Sequence, residues 1–316
     1  MWTTFFATVS PMTVMFLCIL AGFVLQKTGV CPAGTGQTLS KLETYCLTPA
    51  LSFHSLATYC RPQTLLPRLP QMGYCVLIMG VGILIAYALA GFFSKHPYTK
   101  NVYRYALVFA NYGYMGNAVV EALFGPVALF EYLLITLPAA VVIYLWAMPQ
   151  LIPKEKRQSP WKALLNAPMI ACLAGIGLGV TGWVNYLPRE LLSAAGNLGS
   201  CMGPIAMVLT GFIVAQYRPL RLVRDVKVLS VSLMRLLVLP ALLTGLVILL
   251  GADRGTVVCC LIFTAMPLGL NTVVFPAAYG GDPSTGAAMA LVSSTLCVVT
   301  FPLLLSLVNA LGYTMG

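Results

Sequence analysis

The sequence predicts an all-α polytopic membrane protein with ten transmembrane helices, arranged as two inverted five-helix repeats. Three observations predict this fold. Only 8% of the 316 residues are charged while 59% are hydrophobic, long uncharged stretches recur, and the two halves share motifs in the same order. A soluble domain carries roughly 25% charged residues, so most of this surface must face lipid. Met72 to Phe93 contains no charge and can cross a hydrocarbon core of about 30 Å.

Polar turns that contain glycine or proline divide the chain into its helices. We place these at residues 3–25, 36–59, 71–94, 101–125, 127–150, 162–182, 190–215, 227–250, 255–280 and 284–311. The first repeat is 1–150, a short linker is 151–161, and the second repeat is 162–316, all in one integrated membrane domain. No Lys or Arg precedes the first apolar run, so we expect the N-terminus to be retained rather than cleaved.

The basic residues orient the chain in the membrane. Thirteen of the 18 Lys and Arg residues fall in segments on one side, and four fall on the other. The positive-inside rule then places both termini outside and the linker 151–161 in the cytoplasm. The net charge of +10 does not indicate a nucleic-acid partner, because the basic residues sit in short loops rather than in one run.

Five motifs repeat in order at offsets of 154 to 164 residues. The pairs are Pro11-Met12 with Pro168-Met169, Pro49 with Pro204, Asn117-Ala-Val-Val with Asn271-Thr-Val-Val, Phe124-Gly125 with Tyr279-Gly280, and Thr136-Leu-Pro138 with Thr300-Phe-Pro302. An odd number of helices in each half gives the halves opposite orientations in the membrane. Inverted repeats of this kind are typical of secondary transporters whose substrate site lies near the midplane.

The fourth and ninth helices are interrupted at corresponding places. Glycine and proline beside asparagine should unwind both helices, at residues 111–117 and 266–271. Asn117 and Asn271 would then be N-caps of half-helices whose positive ends hold a carboxylate. The alternative is that these residues only kink the helices or pack them closely. The substrate-binding candidates are Asn111, Gly113, Gly116, Asn117, Pro267, Gly269, Asn271 and Thr272.

Charged residues within a membrane are candidates for function, so a second group is assigned to coupling or gating. Its members are Glu121, His54, Arg235, Pro49 and Pro204. Glu121 is either a proton carrier or a solvated residue near the outer end. His54 is either a packed side chain or a proton relay. Arg235 either snorkels to the cytoplasmic interface or attracts anions in an inner vestibule, and Glu43 is expected at the inner interface.

Two sets of motifs resemble the auxin efflux carrier family. Asn111-x-Gly113-x-Met115-Gly116 with Glu121-Ala-Leu-Phe-Gly125 is similar to its fourth-helix motif. Three further motifs of this chain are similar to the C-terminal motifs of the family: Pro267-x-Gly269-x-Asn271-Thr272, Tyr279-Gly280-x-Asp282, and Ser294-Thr295 through Thr300-x-Pro302. The resemblance implies ten helices, crossed fourth and ninth helices, and export or exchange of small organic anions such as auxin, malate or malonate. Many relatives have proline where this chain has Ala118, so the fourth-helix break here depends on glycine.

The short linker is similar to that of prokaryotic members, which implies the cytoplasmic membrane of a prokaryote. We therefore expect a secondary transporter that moves a small organic anion by alternating access, with the second, seventh and crossed helices moving as a unit. A sodium-coupled symporter and a non-transporting receptor for a small carboxylate are the alternatives. Expected partners are the anion, membrane lipid, a coupling H⁺ or Na⁺ and a second copy in a homodimer. No motif indicates an enzyme, a metal or a cofactor.

Overall fold

The computed structural model describes residues 2–32, 34–152, 155, 159, 162, 164–216, 225–279 and 281–315. Within these ranges the chain is helical, and its β pairing is one isolated antiparallel bridge between Ala110 and Leu268. Most of the linker 151–161 and the whole basic turn 217–224 lie outside the described residues. The orientation of the chain in the membrane, which was inferred partly from the Lys and Arg residues of these two segments, therefore stays a prediction.

The first half begins with a long helix and ends with a short one. Its helices are α1 (Trp2–Thr28), α2 (Thr35–Leu42), α3 (Thr48–Tyr59), α4 (Pro62–Leu65), α5 (Leu69–Phe93), α6 (Pro97–Val108), α7 (Asn117–Val142) and α8 (Met148–Leu151). Gly125 breaks α7 with φ 83° and ψ −178°, a backbone conformation that is essentially restricted to glycine. This break falls at the predicted boundary between the fourth and fifth helices.

The second half of the chain is also divided into long and short helices. Its helices are α9 (Ala167–Thr181), α10 (Arg189–Ser200), α11 (Met202–Gln216), α12 (Val226–Leu233), α13 (Leu239–Leu249), α14 (Arg254–Ala265), α15 (Asn271–Tyr279) and α16 (Ser284–Ala310). Asn166 and Asp253 cap α9 and α14, because their side chains accept hydrogen bonds from the backbone N–H three residues later. Helix therefore covers most of each of the ten predicted segments.

Six helical stretches within the described ranges are long and apolar enough to cross a membrane. These are Phe5–Thr28, Pro62–Phe93, Tyr112–Leu151, Arg189–Gln216, Val226–Leu249 and Ser284–Ala310. Ala167–Thr181 and Arg254–Ala265 are apolar but shorter. Tyr112–Leu151 contains 40 residues and includes the break at Gly125. In a ten-span topology, the fourth span would consist of α6 and the first part of α7, and the ninth span would consist of α14 and α15.

In the described part of the chain, four π-helical turns interrupt the helices, and proline accounts for three of them. The turns are Glu43–Leu47, Tyr112–Gly116, Ile143–Ala147 and Met234–Val238. Pro49, Pro149 and Pro240 stand at the second position after three of these turns. Proline has no N–H, and its ring clashes with the carbonyl four residues earlier, so the preceding turn widens. The fourth turn has Ala118 at that position and contains Gly113 and Gly116 instead, as expected of a break that depends on glycine.

Glycines bring several pairs of helices into backbone contact, and two of these pairs join the two halves of the chain through two glycines each. Gly22 of α1 lies against the backbone of Val208 in α11, and Gly211 of α11 lies against α1. Gly175 and Gly179 of α9 lie against α3 in the same way. A side chain at any of these positions would collide with the facing helix, so small residues determine the close approach. The sequence analysis expected the second and seventh segments to move together with the crossed fourth and ninth segments. The glycine contacts instead group the second and seventh segments with the first and sixth.

Two charged side chains that were expected at the membrane interface are buried. Glu43 is 0% exposed and Arg235 is 2% exposed, so the snorkelling interpretation of Arg235 and the interfacial interpretation of Glu43 are wrong. Each residue lies in a π-helical turn, which adds one residue to the helix. The expectation for both residues was drawn from their depth near the inner end of a span. Depth along a helix does not show which neighbouring helices cover a side chain.

Candidate functional site

The interruptions of the fourth and ninth segments meet at one place, which we call the junction (residues 109–111 and 266–270). The helix α6 ends at Val108 and α14 ends at Ala265. The Asn111 N–H donates to the Pro267 carbonyl at 2.7 Å, next to the bridge between Ala110 and Leu268. The hydroxyl of Ser293 in α16 accepts from the Leu268 N–H at 3.0 Å. These bonds satisfy backbone groups that both breaks would otherwise leave unpaired.

The fourth segment resumes earlier than the sequence predicted. Asn117 has helical dihedral angles (φ −58°, ψ −47°) and is not an N-cap. The helix restarts at Tyr112, and Asn111 is the capping residue, although its side chain makes no capping hydrogen bond. The Asn111 carbonyl accepts from the N–H groups of Met115 and Gly116 at 3.1 Å each. The glycines allow this early start, because the π-helical turn can form without crowded side chains.

The ninth segment resumes at Asn271, as predicted, but Asn271 does not act as an N-cap. Its side-chain amide donates to the Tyr105 hydroxyl of α6 at 2.8 Å. Thr272 closes the turn instead, because its hydroxyl donates to the Gly269 carbonyl at 3.1 Å. Asn271 is thus held from across the junction by a buried tyrosine, and its position depends on both halves of the chain.

A cavity of about 540 Å³ lies against the junction. This volume is typical of sites for small ligands. Five of the eight predicted substrate-binding residues line it: Asn111, Gly113, Asn117, Gly269 and Asn271. The other three residues do not line it. Gly116 packs against Tyr132, Pro267 holds Asn111 through its carbonyl, and Thr272 is 0% exposed.

The cavity wall also contains polar residues that the sequence interpretation missed. Thr44, Thr48 and Ser52 follow one another at four-residue intervals along the second segment, and all three line the cavity. Thr136 and Tyr144 add hydroxyl groups from the fifth segment. The four-residue spacing was readable as a polar face of one helix. It was overlooked because hydroxyl residues are also common in ordinary membrane helix packing.

The charge balance of the cavity favours an anion. Among the described residues that line it there is no Asp or Glu, and Lys162 lies at the end nearest the linker. Tyr112, Gly113 and Tyr114 form the first turn of the resumed helix and also line the cavity. N–H groups in a first helical turn have no intrahelical acceptor, and the helix dipole makes this end positive. The cavity thus presents hydrogen-bond donors to a negatively charged group.

A second cavity of about 310 Å³ contains two of the coupling candidates, His54 and Glu121. The imidazole ring of His54 packs against Gly196, and Ser55 also lines this cavity. The two cavities come close together along two helices. Ser52 and Asn117 line the first cavity, and His54, Ser55 and Glu121 line the second. On α7 the separation is about one turn, which is about 5.4 Å, and on α3 the adjacent residues Leu51 and Ser52 line the second and the first cavity.

The remaining candidates line neither cavity. Pro49 follows a π-helical turn, and Pro204 lies exposed in the first turn of α11. The guanidinium nitrogens of Arg235 have no hydrogen-bond partner among the described residues. Arg235 lies within electrostatic range of the Tyr105 hydroxyl, which itself accepts from Asn271. It therefore lies behind the site and not in an inner vestibule.

A family model described as membrane transport protein matches residues 7–159 and 149–305. The chain belongs to this family. The match confirms the resemblance to the auxin efflux carriers, and with the apolar helices it identifies an integral membrane protein of a transporter family. An uncharacterized transporter of Schizosaccharomyces pombe is 29% identical over 104 residues. The aligned part covers 33% of this chain and 23% of that yeast protein.

Proposed function

We propose that this member of the membrane transport protein family carries a small carboxylate across the cytoplasmic membrane by alternating access. The observation that carries the proposal is the cavity at the junction. Its wall combines asparagine amides, hydroxyl groups and first-turn N–H groups, and its described lining contains no acidic residue. Hydrogen-bond donors of these kinds can bind a carboxylate. The positive end of a half-helix can hold the negative charge without a buried arginine in direct contact.

The proposed topology is ten spans in two inverted repeats, with the linker 151–161 in the cytoplasm. Two observations support it. Helix covers most of each predicted segment, and the fourth and ninth segments break at corresponding places and pair with each other. In this topology the larger cavity opens toward the cytoplasm, because Ile152, Lys162 and Asn166 line its far end. The smaller cavity faces the outside.

The proposed movement follows from the layer between the two cavities. This layer is about one helical turn thick on α7 and thinner on α3, so a small displacement can close one cavity and extend the other. We propose that the glycine-packed segments one, two, six and seven form one body. The junction and the remaining segments form the second body. The substrate site then lies on the boundary between the two bodies.

Flux of radiolabelled malate and malonate into proteoliposomes tests this proposal. Purified protein should increase uptake above that of protein-free liposomes, and unlabelled carboxylate of the same kind should compete. Uptake should be compared with no gradient, with a sodium gradient and with a pH gradient. Binding of a labelled carboxylate without flux would indicate a receptor, and strict dependence on sodium would indicate the symporter. Absence of both binding and flux for malate, malonate and indole-3-acetate would contradict the proposal.

A further inference from the structure

Glu43 is a buried carboxyl group that the proposed substrate site does not use. Its exposed fraction is 0%, and neither carboxyl oxygen has a hydrogen-bond partner among the residues that the structure describes. It lies at the start of the π-helical turn Glu43–Leu47, between α2 and α3. Acidic side chains are almost never fully buried unless they are paired, so this placement requires a physical explanation.

The surroundings of Glu43 are apolar. Gly36 and Leu39 precede it on the same face of the second segment, and Leu47 and Leu51 continue that face. Gly36 lies against Phe212, Ile213 and the uncharged side-chain amide of Gln216 on α11, and Leu39 packs with Leu209 and Ile213 of the same helix. The sequence of α11 contains no acidic or basic residue. This helix therefore supplies no counter-ion.

Among the described residues, the other segments packed against the turn supply no counter-ion to Glu43 either. The turn also contacts α9 and α10. The titratable side chain of α9 is Cys172, whereas Arg189 and Glu190 begin α10 and Gly199 at its opposite end contacts Leu51. Lys41 lies two residues before Glu43 but is exposed. The titratable group that faces Glu43 from the fourth segment is Tyr114, which lies within electrostatic range of it.

A carboxylate in such a place would be strongly destabilising. An ionised group buried without a partner loses its hydration and gains nothing in return, so it takes up a proton instead. Glu43 is therefore the neutral acid in this conformation. Water is nevertheless close, because the next two residues, Thr44 and Tyr45, line the larger cavity. Tyr114 lies beside Thr44 in the same wall.

We propose that Glu43 is the proton-binding site that couples this transporter to a pH gradient. This inference rests on the proposed function and names its coupling ion. Glu43 lies on the glycine-packed body, and Tyr114 lies on the body that contains the junction. When the two bodies shift, the distance between Glu43 and Tyr114 changes and water reaches the carboxyl group. The proton then leaves to water on one side, and in the reverse movement a proton from water on the other side replaces it.

The test compares wild-type protein with Glu43→Gln in proteoliposomes, using the carboxylate that wild-type protein transports. Glutamine keeps the shape of the neutral acid but cannot release a proton. A gradient of one pH unit should raise the accumulation of substrate by wild-type protein about tenfold for one coupled proton. Glu43→Gln should bind and exchange substrate but lose this response. Glu190→Gln, an exposed acid on α10, is the matched control and should respond like wild-type protein.

An infrared measurement provides a readout that does not depend on transport. Purified wild-type protein should show the carbonyl stretching band of a protonated carboxyl group at neutral pH, and this band should lose intensity in Glu43→Gln. The inference is overturned if wild-type flux ignores the pH gradient, if Glu43→Gln keeps the full pH response, or if the band has the same intensity in Glu43→Gln as in wild-type protein. Absence of any wild-type flux would instead contradict the proposed function, so the two failures are distinguishable.

Discussion

At the scale of single residues, the site depends on side chains that are positioned from the opposite half of the chain. Asn271 lies in the cavity wall, and its amide is fixed by the Tyr105 hydroxyl at 2.8 Å. Tyr105 itself is 1% exposed and lies close to the buried Arg235. A buried hydroxyl of this kind fixes the rotamer of its partner, so the amide is oriented before the substrate arrives.

Asn271→Ala should reduce carboxylate transport about tenfold or more, because it removes a donor to a charged group. Expression and thermal stability should change little. Tyr105→Phe is the matched control, since it keeps the amide in the cavity and removes only the group that orients it. We expect a smaller loss of transport for Tyr105→Phe, measured as initial flux in proteoliposomes. Normal flux by Asn271→Ala would show that this part of the cavity does not bind substrate.

Gly125 is required by the backbone rather than by the substrate. Its φ of 83° and ψ of −178° separate the fourth and fifth segments within α7. Gly125→Ala should destabilise the protein by about 1–3 kcal/mol, the usual cost of forcing a non-glycine residue into this region. Thermal unfolding in detergent measures this effect. Gly245→Ala in α13 is the control, because open space surrounds that position, and it should be neutral or slightly stabilising.

At the scale of helices and turns, the π-helical turns follow a simple rule. Three of the four turns are followed by proline at the second position, and the turn at Tyr112–Gly116 has Ala118 there. The same local geometry is reached by two means, because proline removes a hydrogen bond whereas glycine removes steric restriction. The break at the junction therefore does not need proline.

Ala118→Pro should be tolerated, because the preceding turn already has the wide geometry that proline produces elsewhere in the chain. The melting temperature should stay close to that of wild-type protein. Ala86→Pro, in the uninterrupted helix α5, should cost about 3 kcal/mol or more and prevent stable folding. Size-exclusion chromatography and thermal unfolding distinguish these outcomes. Equal damage by both substitutions would mean that the π-helical turn does not accommodate proline.

The sequence was informative where local chemistry decides the structure. Gly125 and the interruptions near Asn111 and Pro267 were predicted from residue types alone, because backbone conformation depends on glycine and proline. The starting point of the fourth half-helix was predicted wrongly, since the sequence does not reveal a π-helical turn. The burial of Glu43 and Arg235 was missed because their depth in the span does not show which helices pack around them. Partners from distant segments, such as Tyr105 for Asn271, depend on tertiary packing that no local pattern encodes.

At the scale of the whole molecule, the two cavities give the proposed alternating access a measurable form. His54→Cys and Glu121→Cys place thiols in the smaller cavity, and Ser52→Cys places one in the larger cavity. A membrane-impermeant thiol reagent should label the first two variants from the outside and the third from the cytoplasmic side. A substrate gradient that reverses the proposed movement should change the labelling rates in opposite directions. Labelling of all three positions from the same side would contradict the two-sided arrangement.

The native cysteines offer the most direct test of the central claim that a small carboxylate binds at the junction. Cys172 lines the larger cavity, whereas Cys31 lies in the turn between α1 and α2 and lines neither cavity described above. Purified wild-type protein is treated with a small thiol reagent, and mass spectrometry follows the labelling of both residues. If the substrate occupies this cavity, the transported carboxylate should slow the labelling of Cys172 and leave that of Cys31 unchanged. Equal labelling of Cys172 with and without a saturating transported carboxylate would contradict this claim.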